Sequence, residues 1–277
     1  MKNQSFNPDD AFQWAMKAVL EAGRVLKKGF RRKKAYQKKG AIDLVTEWDF
    51  QSQKTVLSKL RPHFPKADFL VEETGSERRD SPYCWILDPL DGTTNFVHGF
   101  PFYCISLALT YKNIPYLGIV HNPELRETYW SVKGKGAFFN GRPIRVSATP
   151  TISQSLLATG FPYNIQKTHG PLIRRLEQVI TRAQGVRRAG SAALDLCWVA
   201  RGVMDGFWEQ NLKPWDTAAG MLIVEESGGK ISDFSGRPFN PYKKQCLATN
   251  GLIHQEMVQL LTLPKYSDCP SKKSRGG

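Results

Sequence analysis

The sequence predicts an α+β fold in which helices and sheet are stacked in layers. Three patterns carry that prediction. The opening segment has the apolar spacing of an amphipathic helix, the stretch from Cys104 to Val146 reads as consecutive strands, and the second half alternates apolar helices with short strands.

Asn7-Pro8-Asp9-Asp10 offers a helix start, with a cap, a proline at the first position and acids in the first turn. Phe12, Ala15, Val19, Ala22 and Leu26 then repeat at helical spacing to about Lys28. Thr46 with Asp49 three residues on resembles a capping box, and Val56, Leu57 and Leu60 continue that second helix to Pro62. Phe69-Leu70-Val71 and Tyr83–Leu87 are short apolar runs read as buried strands, the second ending at Asp88 because Pro89 forces the chain out of the sheet. ISLALTY, YLGIV, TYWSV and AFF follow as strands, with Asn140-Gly141 as a hairpin turn before Pro143. Helices are expected around 168–183, 190–202, 215–227 and 253–262, and Gly228-Gly229 reads as a helix C-cap and turn. A subdomain boundary is placed near Ser147–Pro150. It divides an N-terminal unit (1–146) from a C-terminal unit (147–263), and the polar stretch 264–277 is expected to be disordered.

Composition narrows the class. A chain of 277 residues can bury a sizeable core. No apolar run approaches the ~18–20 residues of a membrane span. MKNQSFNPDD lacks the apolar core of a secretory signal, so the cytoplasm is the expected compartment. Cys84, Cys104, Cys197, Cys246 and Cys269 are scattered without a C-x-x-C pair, which argues against a zinc site or a disulfide framework.

The chemistry concentrates in Trp85–Phe96, WILDPLDGTTNF. Asp88 and Asp91 stand across a tight turn, close enough to share a cation or bracket two. Gly92-Thr93-Thr94 adds a glycine for close backbone approach and hydroxyls that could cap a short helix. Taken alone, such a stretch is an ordinary Asx-type turn. Glu72 and Glu73 follow another strand-like run, however, and Asp216 opens an apolar helix in Pro214–Gly220. Acids at three chain breaks fit a hard-cation site built from oxygens.

Together, Glu72-Glu73, Asp88–Phe96 and Trp215-Asp216-x-Ala-Ala-Gly resemble the inositol monophosphatase family of magnesium-dependent, lithium-sensitive phosphatases. Gly190–Asp195, Gly118-Ile119-Val120 with Asn122-Pro123, and Gly228-Gly229 fall in the same order, and the likeness covers roughly residues 8–262. It is greatest to the bacterial inositol-1-monophosphatases, including the extragenic suppressor branch. Val71 departs from the small residue usual before the paired glutamates.

The resemblance implies a layered α/β/α/β/α sugar-phosphatase fold and two to three Mg2+ ions. Glu72, Asp88 and the Leu90 carbonyl would hold the first ion; Asp88, Asp91 and Asp216 the second; Glu72 with waters a weaker third. Thr93 would orient the attacking water with Asp49 behind it, and the Gly92 and Thr93 amides would grip phosphate oxygens. Ala192 and Glu209 would bind substrate hydroxyls, with Asp91 and Asp216 also at the substrate and Lys38 a base near the site. A homodimer is implied as well.

A carboxylate at Glu209 suits a polyol monophosphate better than a second phosphate. A 3′(2′),5′-bisphosphate nucleotidase and a fructose-1,6-bisphosphatase remain the alternatives within the superfamily. The competing class is a nucleic-acid or RNA-polymerase-associated binding protein. Net charge is +14, and Lys27–Lys39 carries eight basic residues (Lys27, Lys28, Arg31, Arg32, Lys33, Lys34, Lys38 and Lys39) without an acid. The same block can equally be a solvated loop that steers a small anionic phosphate ester. His98 and His121 read as structural, Glu73 as a lesser ligand than Glu72, and Trp85, Trp198, Trp208 and Trp215 as core.

Overall fold

The structure, a computed structural model, describes residues 8–32, 35–38, 44–162 and 165–263. Asn7, Lys33, Lys34, Lys39, Cys269 and the 264–277 tail lie outside them. Helix α1 (Pro8–Phe30) runs slightly beyond its expected end. It buries Ala11, Ala15, Ala18, Val19, Ala22 and Leu26, spaced three and four apart, so one stripe of small side chains faces the core. A short pair, β1 (Tyr36–Lys38) and β2 (Leu44–Thr46), leads into α2 (Glu47–Leu60). The expected capping box is present: Thr46 Oγ1 accepts from the Trp48 amide, and Asp49 reaches back to the Thr46 amide at 2.8 Å.

The large sheet comprises β3 (Asp68–Val71), β4 (Gly75–Glu77), β5 (Tyr83–Asp91), β6 (Cys104–Tyr111), β7 (Ile114–Asn122), β8 (Glu127–Val132), β9 (Ala137–Phe139) and β10 (Arg142–Pro143). Their order is β10-β9-β8-β7-β6-β5-β3-β4, and only β3 and β5 run parallel. Between β5 and β6 lies α3 (Thr93–His98). Asn140 and Gly141, both at positive φ, form the expected turn between β9 and β10.

The chain then supplies β11 (Leu156–Thr159), α4 (Ile165–Ile180), β12 (Gly185–Arg187), α5 (Ala192–Ala200), β13 (Gly206–Gln210), α6 (Pro214–Glu226), β14 (Lys230–Ser232), β15 (Gln245–Thr249) and α7 (His254–Leu261). The second sheet has the order β12-β11-β13-β15-β14. At the end of α6, Gly228 takes positive φ and the Gly229 amide closes on Val224 O, the C-cap that the glycine pair predicts.

Three apolar clusters define five layers. Helices α1 and α2 cover one face of the large sheet, α5 and α6 fill the space between the sheets, and α4 and α7 cover the far face of the second sheet. The fold is thus the α+β sandwich expected. Among the described residues no helix is long and apolar enough to cross a membrane, and the four described cysteines are free.

Two expectations need correction. β5 does not leave the sheet at Pro89 but continues to Asp91. Asp88 pairs with Ser106 and Asp91 with Cys104, so three steps on β5 match two on β6, and the proline sits in a bulge where no ladder hydrogen bond is needed. Of the four tryptophans, Trp85 and Trp208 are buried, but Trp198 and Trp215 are only half-buried. Trp198 stacks edge-on against Phe102 and donates to Glu127, while Trp215 lines a cleft.

Helix α6 approaches the large sheet closely at Gly118, where a Cβ would stand 2.7 Å from Ala219 O and 2.9 Å from its Cα. Both neighbours are backbone and cannot swing aside. Gly118→Ala is therefore expected to destabilise the protein by about 1–3 kcal/mol, read as a lowered urea midpoint with an unchanged slope.

Candidate active site

Strand register assembles the acids. Val71 pairs with Leu87 in the parallel β3–β5 ladder, and both side chains enter the α1/α2 core. The next residue on each strand, Glu72 and Asp88, therefore turns to the opposite face at adjacent strand ends. Val71 is fully buried in that core, and the Glu72 amide still reaches Leu87 O at 3.1 Å. Asp88 and Asp91 are three apart, an odd offset that plain alternation would send to opposite faces. The bulge cancels it, since their partners Ser106 and Cys104 are two apart and share a face.

Asp216 arrives from the first turn of α6, held by the Lys213 amide to its Oδ2 at 2.7 Å. Asp91 Oδ2 accepts from Ser191 Oγ at 2.6 Å and from the Ala193 amide at 2.9 Å, at the N-terminus of α5. Asp88 Oδ1 accepts from the Leu90 amide at 2.9 Å. Each of the three aspartates is thus anchored through one oxygen. All line a cleft of about 600 Å³, together with Glu72, Thr93 and Glu209.

Burial raises Asp88 well above the usual carboxylate range, and Glu72, Asp91 and Asp216 push it further. Asp216 is raised by burial and then by Asp91. Asp91 is raised by burial and pulled back by its α5 donors. Glu72, at the neighbouring strand end, is the largest contributor to the push on Asp88 after burial. Among the described residues no three His, Cys or carboxylate groups form a ready-made metal cage. The donor set is nonetheless all oxygen, converges from three chain segments and repels itself, which fits a hard divalent cation that retains waters.

Behind Asp91 the turn is fixed from α2. Thr93 Oγ1 donates within 3.0 Å of Leu90 O and 3.2 Å of Asp49 Oδ1, and Ser52 Oγ donates to Pro89 O at 2.7 Å. Burial lifts Asp49 to about 6 against its Thr46 hydrogen bonds. Gly92 takes φ 88°, and a Cβ there would stand 3.0 Å from Phe102 O. Only glycine lets this turn form. Asn95 Nδ2 ties it across the cleft edge to Phe102 O and Ala189 O.

Most of the residues singled out from the sequence gather here: Glu72, Asp88, Leu90, Asp91, Gly92, Thr93, Ala192, Glu209 and Asp216 all line the cleft. Asp49 is buried directly behind Thr93. Lys38 lies on exposed β1, outside the cleft lining, opposite Leu44 in the strand pair that leads to Thr46. In the basic block, Arg31 pairs with Glu124 at 3.5 Å and Lys27 donates to Pro123 O. His121 is buried with Nδ1 on Glu127 O and Thr128 Oγ1, a structural role.

Asp195, Arg188 and Gly160 also line the cleft, and the sequence reading gave them no role. Asp195 had a signal, standing one helical turn after Ala192 on the same face of α5. Gly160 had none. It faces the Glu209 carboxyl, which a Cβ there would overlap.

Comparison with known proteins places this geometry. The Inositol monophosphatase family profile matches residues 7–264. An inositol-1-monophosphatase from Synechocystis is 43% identical over 261 residues, covering 92% of this chain and 91% of that protein. A Thermotoga maritima protein named fructose-1,6-bisphosphatase/inositol-1-monophosphatase is 39% identical over 253 residues, with 91% and 96% coverage. Among solved structures, the extragenic suppressor protein suhB of Bartonella henselae superposes with a TM-score of 0.89 at 37% identity, covering 92% of this chain and all of that one.

Burial lifts Glu209 from 4.5 to about 8, opposed by Arg188. A raised carboxyl favours folding when protonated, so its contribution is complete below pH 4.5 and is lost as pH rises through about 8. In chelator, Glu209→Gln is expected to melt close to wild type at pH 4.5 and clearly above it beyond pH 8. Parallel melting curves would refute the buried-acid assignment.

Proposed function

The chain belongs to the inositol monophosphatase family of inositol-phosphate phosphatases, and from that premise we propose that it hydrolyses inositol monophosphate or a similar polyol phosphate with Mg2+ as cofactor. The observation that carries this reading is the convergence of Glu72, Asp88, Asp91 and Asp216 on one cleft, each raising the cost of its neighbours' charge. Glu72, Asp88 and the Leu90 carbonyl would hold one ion, Asp88, Asp91 and Asp216 a second, and Glu72 with waters a weaker third. When bound, paired divalent cations activate water, screen the phosphate charge and stabilise the leaving oxygen.

The remaining work falls to the protein. Thr93 donates its hydroxyl proton toward Leu90 O and Asp49, so its oxygen lone pairs face outward to accept from the attacking water and fix its direction. Asp49 holds the Thr93 rotamer and is itself held by Thr46, a chain of contacts that leads back into the core. The Gly92 and Thr93 amides orient the phosphate, the Ala192 amide and Glu209 the polyol, and Asp91 and Asp216 border the leaving side. Hydrolysis by a directed water needs no covalent intermediate. Cations bound among these carboxylates would offset their mutual repulsion and stabilise the fold.

A carboxyl at Glu209 can hydrogen-bond the hydroxyls of a polyol but offers no positive charge to a second phosphate, so inositol-1-phosphate ranks ahead of a nucleotide 3′,5′-bisphosphate or fructose-1,6-bisphosphate. We extend the proposal to inhibition by Li+ entering the second cation position and to a homodimeric, cytoplasmic protein.

Purified protein should hydrolyse inositol-1-phosphate in preference to those two bisphosphates when Mg2+ is supplied, and lose activity in excess chelator. Asp91→Asn keeps the size and removes a charge. Its turnover is expected to fall about a hundredfold or more, beyond the roughly 10–100-fold of an outer-shell change. Full activity in chelator, or an Asp91→Asn variant within a few-fold of wild type, would sink the mechanism.

A further inference from the structure

Asp195 is a buried acid that the phosphatase mechanism does not use. It sits on α5 with only 1% of its surface exposed, and its Oδ1 is buried with no hydrogen-bond partner. Such an atom costs about 1–3 kcal/mol unless something supplies a partner, and here the residue lines the cleft itself.

Its surroundings show what would complete it. Ser191 caps α5 and Ala192 opens it, so Asp195 stands one turn below the Ala192 amide on the same helical face. Glu209 comes from β13, the strand against which α5 packs, and its carboxyl lies over Gly160. Arg188 comes from the β12–α5 connection, with its guanidinium 5.8 Å from the Phe161 ring. Burial, then the charges of Glu209 and Asp91, raise Asp195 well above the carboxylate range, against the pull of Arg188. Asp195 thus brings a carboxyl oxygen that lacks a partner to the same cleft as the Glu209 carboxyl. A hydroxyl group can supply the missing hydrogen bond, and an apolar group would leave it unsatisfied.

We propose that Asp195 is a further positioning residue, which works with Glu209 and the Ala192 amide to hold the hydroxyl groups of a polyol against the floor of the cleft. The assignment rests on the phosphatase reading above and adds to it a determinant of substrate class. Asp195 acts by rewarding hydroxyl-bearing substrates, and it takes no part in breaking the phosphate ester.

The test uses the full chain with Mg2+ and two substrates that share a ring: inositol-1-phosphate, and cyclohexyl phosphate, which lacks every ring hydroxyl. Asp195→Ala is expected to lower kcat/KM for inositol-1-phosphate about tenfold, mainly through KM, and to leave cyclohexyl phosphate within about twofold. Asp195→Asn keeps a donor and an acceptor and should restore most of the loss. Should the Ala variant fail to fold, Asp195→Leu removes the hydrogen bonding while filling the volume, and its melting curve reports the fold independently. Equal losses on both substrates would make Asp195 merely structural and overturn the proposal, as would an unchanged KM for inositol-1-phosphate. A wild type inactive on every polyol phosphate overturns the phosphatase reading and this one with it. An active wild type with an indifferent Asp195→Ala variant overturns this one alone.

Discussion

Asp91 joins the large sheet to the middle-layer helices at the heart of the cleft, where it adds to the polar links made by Asn95, Ser106 and Glu127. It ends the long strand of the large sheet, and its Oδ2 takes 2.6 Å and 2.9 Å hydrogen bonds from Ser191 and Ala193 at the start of the middle-layer helix. The helix N-terminus offers unpaired amides and partial positive charge, so it can hold a buried carboxylate that the other acids repel. That anchor helps to fix the spacing between the sheet bearing Glu72 and Asp88 and the helix bearing Ala192 and Asp195, all of which line one cleft.

Much of this was readable from the residues. The Thr46–Asp49 capping box, the Asn140-Gly141 turn and the Gly228-Gly229 stop are local, each decided by side-chain chemistry within four residues, and each is present. The acids could be marked because three chain breaks, each beside an apolar run, carry carboxylates of the kind a hard cation takes. The bulge at Pro89 was not readable, because it is decided by pairing with Cys104–Ser106, well outside the local window. Trp215 was misread as core for a related reason. Composition says that indole is apolar, and only the placement of α6 decides that this one borders a cleft. Asp195 lay in plain view within an apolar helix, but its meaning depends on Glu209 from a different strand.

The cleft also shows where stability has been given up. Asp88 and Asp195 are buried, Glu209 and Asp216 half-buried, and all four are pushed upward chiefly by desolvation, so the folded protein carries acids that a purely structural core would exclude. The scaffold around them is correspondingly rigid. Gly118 admits α6 to backbone contact, and Glu226 of the same helix accepts from the Gly134 and Gly136 amides of the β8–β9 turn. Strain at the site is thus surrounded by elements with little freedom to relax it.

The central helices have a consequence for how the chain is made. α5 and α6 cover the inner face of the large sheet, yet they follow every strand of that sheet in sequence. During synthesis the eight strands can pair while Ile86, Ala108, Val120 and Tyr129 still face solvent, waiting for a segment that has not yet left the ribosome. A nascent chain stalled before Pro214 presents an apolar sheet face that a holdase chaperone would recognise. Release of Pro214–Glu226 covers that face and delivers Asp216 to the cleft in the same event, so the last of the clustered acids arrives only when the core is ready to close.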